Sequence, residues 1–259
     1  MGAQAAALLS AGGPLGAPRH FPVGHRDRLI APPSYQLRDV ALAHGGIGLA
    51  PWGWDGTTVT TVLPDGAVAR VLPDLGVELS APSDLAPLRR ALDLEATLDE
   101  LWSVAPHCQG EGWELRAASP FEALVQALAA TNTSYRSTQA MLAELVGDGP
   151  FPAPEVVRDL PLTRWGYRRA SLRALAERVD DTNWAALDDV DLVAAARGLP
   201  GFGPFAATSV LPLLGRPRAL HLDGWLSEQV DDPGSYRQYG RWAGTVLWLD
   251  VSRRWRRTP

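Results

Sequence analysis

The chain has 259 residues, 46% of them hydrophobic, enough for one large domain or two small ones around a real core. No apolar run approaches a membrane span, and the Ala/Gly/Leu-rich first residues lack the basic segment of a signal peptide, so a cytoplasmic, bacterial-type protein is expected. The single cysteine excludes an intramolecular disulfide and any multi-cysteine metal or iron–sulfur site, all 24 basic residues are Arg, and the net charge of −5 argues against tight, general affinity for polyanions.

Residues 1–28 are small, polar or Pro-interrupted and are expected to form a poorly ordered tail, with His20 and His25 solvated. Residues 29–80 read as a small β-rich domain. Tyr35–Arg38 is a short candidate strand, Trp52 and Trp54 flank Gly53 and are expected to cover a sheet face, and Thr57–Leu63 is β-branched. Pro64-Asp65-Gly66 is a turn signal, and Ala67–Leu72 returns as the paired strand. Residues 81–259 read as helical. Ser83–Leu92 and Ala96–Val104 are helices, the first with Ser83 as its cap. In the loop that follows, Cys108 beside His107 reads as an incidental thiol.

Ser119-Pro120-Phe121-Glu122 is a capping box with Pro at the first helical position, and Phe121, Leu124, Val125, Leu128 and Ala129 give one apolar face. Thr131-Asn132-Thr133-Ser134-Tyr135 joins this helix to a second, Thr138–Val146, which stops at Gly147. A rigid connector, Gly149–Pro154, leads to an Arg-rich amphipathic helix over Gly166–Val179. The helix Asp189–Arg197 then runs through Gly198 into Leu199-Pro200-Gly201-Phe202-Gly203-Pro204-Phe205-Ala206. This is a helix, a tight hairpin and a second helix whose first N–H groups lack helical acceptors and suit an anion such as phosphate. Pro212 is expected to kink the second helix. The apolar run Ala219–Leu222 delivers Asp223, two residues before Trp225. The last helix, Gly240–Trp255, places Trp242, Val246 and Leu249 on one face and ends in Arg253-Arg254-Trp255-Arg256-Arg257. Read alone, the glycine hairpin fits an ordinary helix–helix turn, and Asp223 fits a helix N-cap.

Leu-Pro-Gly-x-Gly-Pro followed some twenty residues later by a solitary Asp resembles the helix-hairpin-helix (HhH-GPD) superfamily of DNA glycosylases. Ala130–Tyr135, Gly166-Tyr167-Arg168, and Tyr239-Gly240-Arg241-Trp242 leading to Leu247–Asp250 resemble its 3-methyladenine/8-oxoguanine glycosylase-like branch, over residues 119–255. The implied fold is α+β and mostly α: a small N-terminal antiparallel β-sheet followed by a two-lobed helical core. The implied partner is double-stranded DNA carrying a damaged base, and a monomer without cofactor is expected. Gly201, Phe202, Gly203, Phe205 and Ala206 would grip the DNA backbone. Asn132 would contact the orphaned base or cap the next helix. Tyr135, Tyr167 and Trp225 would line the base pocket or, for Tyr135, simply pack. No metal site is expected, apart from the open question of a monovalent cation at the hairpin backbone.

The implied chemistry is hydrolysis of the N-glycosidic bond. A carboxylate beside the sugar stabilises its oxocarbenium character and orients water, and Asp223 is the candidate. Lyase-competent relatives carry Lys where this chain has Phe205, and no Lys exists elsewhere to form a Schiff base. Glu228 follows Asp223 where basic residues are usual, and the segment Val230–Ser235 is short. Two alternatives therefore stand beside a monofunctional glycosylase: a catalytically weak or inactive binder of damaged DNA, and a helical protein using the same face for a protein partner.

Overall fold

In this computed structural model residues 21–43, 48–221 and 224–256 are described, the side chains at 43, 224, 225 and 254–256 excepted. The expectation of a disordered tail falls for residues 1–20 outside them. The sheet starts earlier than expected, inside the supposed tail. Strand β1 (His25–Arg28) pairs antiparallel with β5 (Gly76–Leu79), His25 opposite Leu79 and Arg28 opposite Gly76. All four β1 side chains are exposed, so this edge strand has no apolar alternation to betray it.

The β-branched run forms β3 (Val59–Val62), which turns through Gly66 (φ 87°) into β4 (Val68–Val71). Leu63 N–H donates to Ala67 O at 2.8 Å and closes the hairpin as the turn residues foretold. With β2 (Gly53–Trp54) the order is β1-β5-β4-β3-β2, antiparallel throughout. Tyr35–Arg38 is not a strand. Tyr35 lies in a turn with its hydroxyl donating to Leu92 O at 2.8 Å, and helix α1 begins at Leu37 and runs to Ala43. Leu37, Val40 and Ala41, at helical spacing, are buried, and that burial overrides the β preference of Tyr35.

Helices α2 (Ala86–Ala91) and α3 (Asp99–Val104) are shorter than read. Ser83 does not cap α2, because its hydroxyl donates to Asp65 Oδ2 at 2.6 Å. Helix α4 (Pro120–Ala129) has the expected cap: Ser119 Oγ accepts from Glu122 N–H at 3.1 Å. The Glu122 carboxylate reaches back to Ala118 N–H at 2.9 Å, one residue before the usual box partner. Helix α5 (Tyr135–Val146) is capped by Ser134, not Asn132, and stops at Gly147 (φ 58°). Then come α6 (Pro154–Val157), α7 (Arg168–Arg178), α8 (Asp189–Arg197), α9 (Pro204–Leu213) and α10 (Gly224–Ser227). A 3₁₀ segment, Pro233–Trp242, leads into α11 (Ala243–Arg256). Pro212 falls in the final turn of α9, where it ends the helix.

Two large apolar clusters organise these elements, beside a small third of Leu226, Leu247 and Val251. The helical one takes Phe121, Leu124 and Leu128 from α4, Met141 and Leu142 from α5, Leu172 and Leu175 from α7, and Leu199, Phe202 and Val210 around the hairpin. The other gathers the inner sheet face, α2, α3 and the segment to Leu115, and is completed by Val246 and Leu249 of α11. Packing thus crosses the sequence boundary drawn at residue 80. Among the described residues no helix is long and apolar enough to cross a membrane.

Candidate nucleic-acid interface

Helix α8 starts on Asp188, whose carboxylate accepts from the N–H groups of Val190 and Asp191, and ends at Gly198. Leu199 N–H donates to Ala196 O and Phe202 N–H to Leu199 O, so the chain reverses at once. The side chains of Leu199 and Phe202 are buried in the helical cluster and anchor the turn.

The two hairpin glycines do different work. Gly201 sits at φ 84°, and a Cβ there would lie 2.7 Å from Ser171 Oγ and 3.1 Å from Leu128 Cδ1. Gly203 has an ordinary φ of −79° and open space where a Cβ would be. Sequence reading gave both the same job; only Gly201 needs glycine for the fold. Gly203 is the N-cap of α9 and brings no side-chain acceptor, while Pro204 removes one donor. The N–H groups of Gly201, Gly203, Phe205 and Ala206 meet no acceptor among the described residues. Four backbone donors without described acceptors at and before a helix start are the kind of group that binds an oxyanion. Phe202 and Ala206 offer this surface only backbone, since both side chains are buried.

This surface continues onto α7 and the α4–α5 turn. Ser171 lies against Gly201, and one helical turn earlier Arg168 is only 7% exposed. Its Nε donates to Thr131 Oγ1 at 3.0 Å, and its Nη2 to Thr131 O and to Asn132 O, the latter at 3.3 Å. Asn132 has left-handed backbone, φ 41°, and an exposed side chain. Tyr167 is 68% exposed, with the Arg168 guanidinium 4.4 Å from its ring centroid. Asn132, Tyr167 and the hairpin are therefore joined through α7. Tyr135 is apart from them: it packs against the helical cluster, its hydroxyl meets Gly48, and burial pushes its pKa up.

Asp223 and the Trp225 side chain lie outside the described residues. Leu222 lies outside them too; the His221 ring is 6.0 Å from the Phe205 ring, and α10 opens at Gly224. Sequence reading passed over His221, whose place beside the hairpin only the fold reveals. The burial of Arg168 leaves no mark in the Gly166-Tyr167-Arg168 motif either. Helical charge ordinarily faces water, and nothing in the motif marks this one as inward.

Two arginines of the basic runs are occupied within the protein. Arg169 donates to Leu162 O at 3.1 Å, and Arg253 to both oxygens of Glu111, to Asp250 Oδ1, to His107 O and to Cys108 Sγ. Burial acts to lower the Arg253 pKa, but its bonds to Glu111 and Cys108 prevail and hold it above the usual arginine value. Possible ligand atoms of His107, Cys108 and Asp250 lie within 4.8 Å of one another, and the Arg253 guanidinium supplies the cation among them. A groove of about 1020 Å³, lined by Trp52, Phe121, Phe151 and Trp184, includes neither hairpin residues nor Asn132 or Tyr167.

No family model and no curated protein matches the sequence. Solved structures do. MBOgg1, in complex with a low-affinity DNA ligand, superposes with a TM-score of 0.67 at 18% identity, covering 91% of this chain and 98% of that one. The 8-oxoguanine glycosylase/lyase of Clostridium acetobutylicum, with DNA containing cytosine opposite 8-oxoG, gives 0.66 at 13% identity over 90% and 98%. The 3-methyladenine DNA glycosylase of Archaeoglobus fulgidus gives 0.62 at 14% identity over 89% and 98%. The chain has the fold of the HhH-GPD DNA glycosylases. It is α+β and mostly α, with the small antiparallel sheet first and the glycine hairpin in the helical part.

Proposed function

We propose that the protein is a monofunctional DNA glycosylase that hydrolyses the N-glycosidic bond of a damaged base, an alkylated or oxidised purine. The observation that carries this reading is the hairpin, whose N–H groups at Gly201, Gly203, Phe205 and Ala206 meet no acceptor among the described residues, with open space at Gly203. Those amides take a DNA phosphate without formal charge, which reconciles backbone binding with a net charge of −5. A base inside the duplex must be extruded before it reacts. Tyr167 presents an aromatic face for stacking and Asn132 an amide for the orphaned base. Asp223, between His221 and α10, is the carboxylate that stabilises the sugar cation and directs water. Phe205 stands at the amine position of lyase-competent relatives, and a chain without Lys has no side chain for a Schiff base.

The test is incubation with duplexes carrying methylated purines, 8-oxoguanine, hypoxanthine or uracil, followed by alkaline cleavage of abasic sites. Lesion-dependent breaks are expected with the wild type and not with Asp223→Asn, and no breaks should form without alkali. Glu228, an acid where a basic phosphate contact is usual, supports one second reading, a binder of damaged DNA with little or no catalysis. Binding without breaks would establish that instead.

A further inference from the structure

Asp223 lies on the chain between two points that the last helix fixes. Before it, the Arg218 backbone N–H donates to Thr245 Oγ1 at 2.9 Å, and Leu220 packs on the small cluster of Leu247 and Val251. After it, Leu226 of α10 is buried in that same cluster. The crossing itself is backbone on backbone. A Cβ at Gly244, in the first turn of α11, would overlap the carbonyl oxygens of Arg218 and Ala219, so only glycine lets the two chains meet here.

The Arg218 side chain locks this crossing. Its Nη2 donates to Glu114 Oε2 at 2.7 Å, and its guanidinium lies 4.8 Å from the centroid of the Trp248 ring, one helical turn beyond Gly244. Glu114 is buried, and its neighbours Trp113 and Leu115 belong to the sheet's apolar cluster. At the other end of the stretch, the His221 ring meets Phe205 at the start of α9. Residues 218–221 therefore run from a platform on α11 to the hairpin helix, and a slip at Arg218 is carried along the chain toward Asp223.

We propose that Arg218 is a positioning residue for the Asp223 carboxylate. Clasped by Glu114, Trp248 and Thr245, with its backbone seated on Gly244, it sets the point from which the chain delivers that acid. It touches neither DNA nor the reacting atoms. This rests on the proposed catalytic role of Asp223. A lysine keeps a charge for Glu114 but not the flat contact with Trp248.

The experiment uses the full chain in excess over a duplex carrying a lesion that the wild type releases, with folding checked by thermal melts. The rate of base release at saturation reads chemistry, and the protein concentration giving half that rate reads binding. Gly244→Ala and Arg218→Met should each slow release about a hundredfold, the scale of a displacement of about 1 Å at a reacting group. Half-saturation should shift by no more than about threefold, and Arg218→Lys should regain part of the rate. At the slow rate left by Asp223→Asn, adding Arg218→Met should cost no more than about twofold, because the acid it places is gone. Rates near wild type in folded Gly244→Ala and Arg218→Met overturn the proposal, as does a further full loss on the Asp223→Asn background. So does a half-saturation that moves as far as the rate, the mark of general damage to the fold. Should neither variant fold, Thr245→Val removes the bond to Arg218 N–H at nearly constant volume and should slow release about fivefold. An unchanged rate there overturns the proposal equally. A wild type that releases no base, or an Asp223→Asn variant as fast as wild type, instead removes the catalytic reading of Asp223 and this inference with it.

Discussion

At the start of α7, Arg168 is drawn into the protein by a hydroxyl and two backbone carbonyls. Near the end of α11, Arg253 is drawn in by Glu111 and Asp250, with the Cys108 thiol and a backbone carbonyl alongside. Both arginines stand in runs of basic residues that look equally fit to meet phosphate. Neutral acceptors hold the guanidinium of Arg168 inside the α4–α5 turn, whereas two carboxylates cancel the charge of Arg253. The local field at a surface thus follows from what each cation is bonded to. A net charge of −5 and an amide-rich hairpin surface coexist without conflict.

Breaking the second cluster should produce the largest effect on stability and none on DNA. Arg253→Ala removes the guanidinium shared by the partly buried carboxylates of Glu111 and Asp250 and is expected to cost about 3 kcal/mol in urea unfolding. Its affinity for undamaged duplex should stay within about twofold of wild type, and a weaker affinity would place α11 on the DNA face after all.

A buried acid without any cation sharpens the contrast. Among the described residues Glu122, at the start of α4, accepts from Ala118 N–H and the Gln126 amide, and burial pushes its pKa from 4.5 to about 7. The folded protein then keeps a proton that the unfolded chain releases, so stability is full below pH 4.5 and falls as pH rises through about 7. Glu122→Gln should abolish that decline, gaining about 2–3 kcal/mol over wild type at pH 8 and little at pH 4.5, as read by thermal melts at both. A flat wild-type profile would contradict it.

Within the hairpin the same division between fold and function separates two glycines. Gly201→Ala meets a positive φ and two close neighbours, and should destabilise by about 1–2 kcal/mol. Gly203→Ala meets neither, and should shift stability by less than about 0.5 kcal/mol while weakening duplex binding about tenfold through obstructed amides. Equal affinities for Gly203→Ala and wild type in an anisotropy titration would separate the hairpin from DNA binding.

Features carried by local chemistry could be read from the sequence. The Ser119 cap, the Gly66 turn between two β-branched strands, the stop at Gly147 and the helix–glycine–helix reversal each need particular residues at particular offsets. Features decided by distant partners could not. Ser83 has the look of a cap but bonds Asp65, Tyr35 has strand propensity but anchors on Leu92, and Arg168 has surface character but bonds a turn from another helix. The exposed β1 strand left no pattern, because only its backbone takes part in the sheet.

The placement of Val246 and Leu249 inside the sheet's apolar cluster has a consequence for the order of assembly. A nascent chain that has emerged as far as α9 already holds the members of the helical cluster, which ends at Leu213. The sheet, although synthesised first, still lacks two of its innermost side chains. The clamp-bearing half can therefore settle early on the ribosome, while the half that began translation has to wait for the last helix to close it.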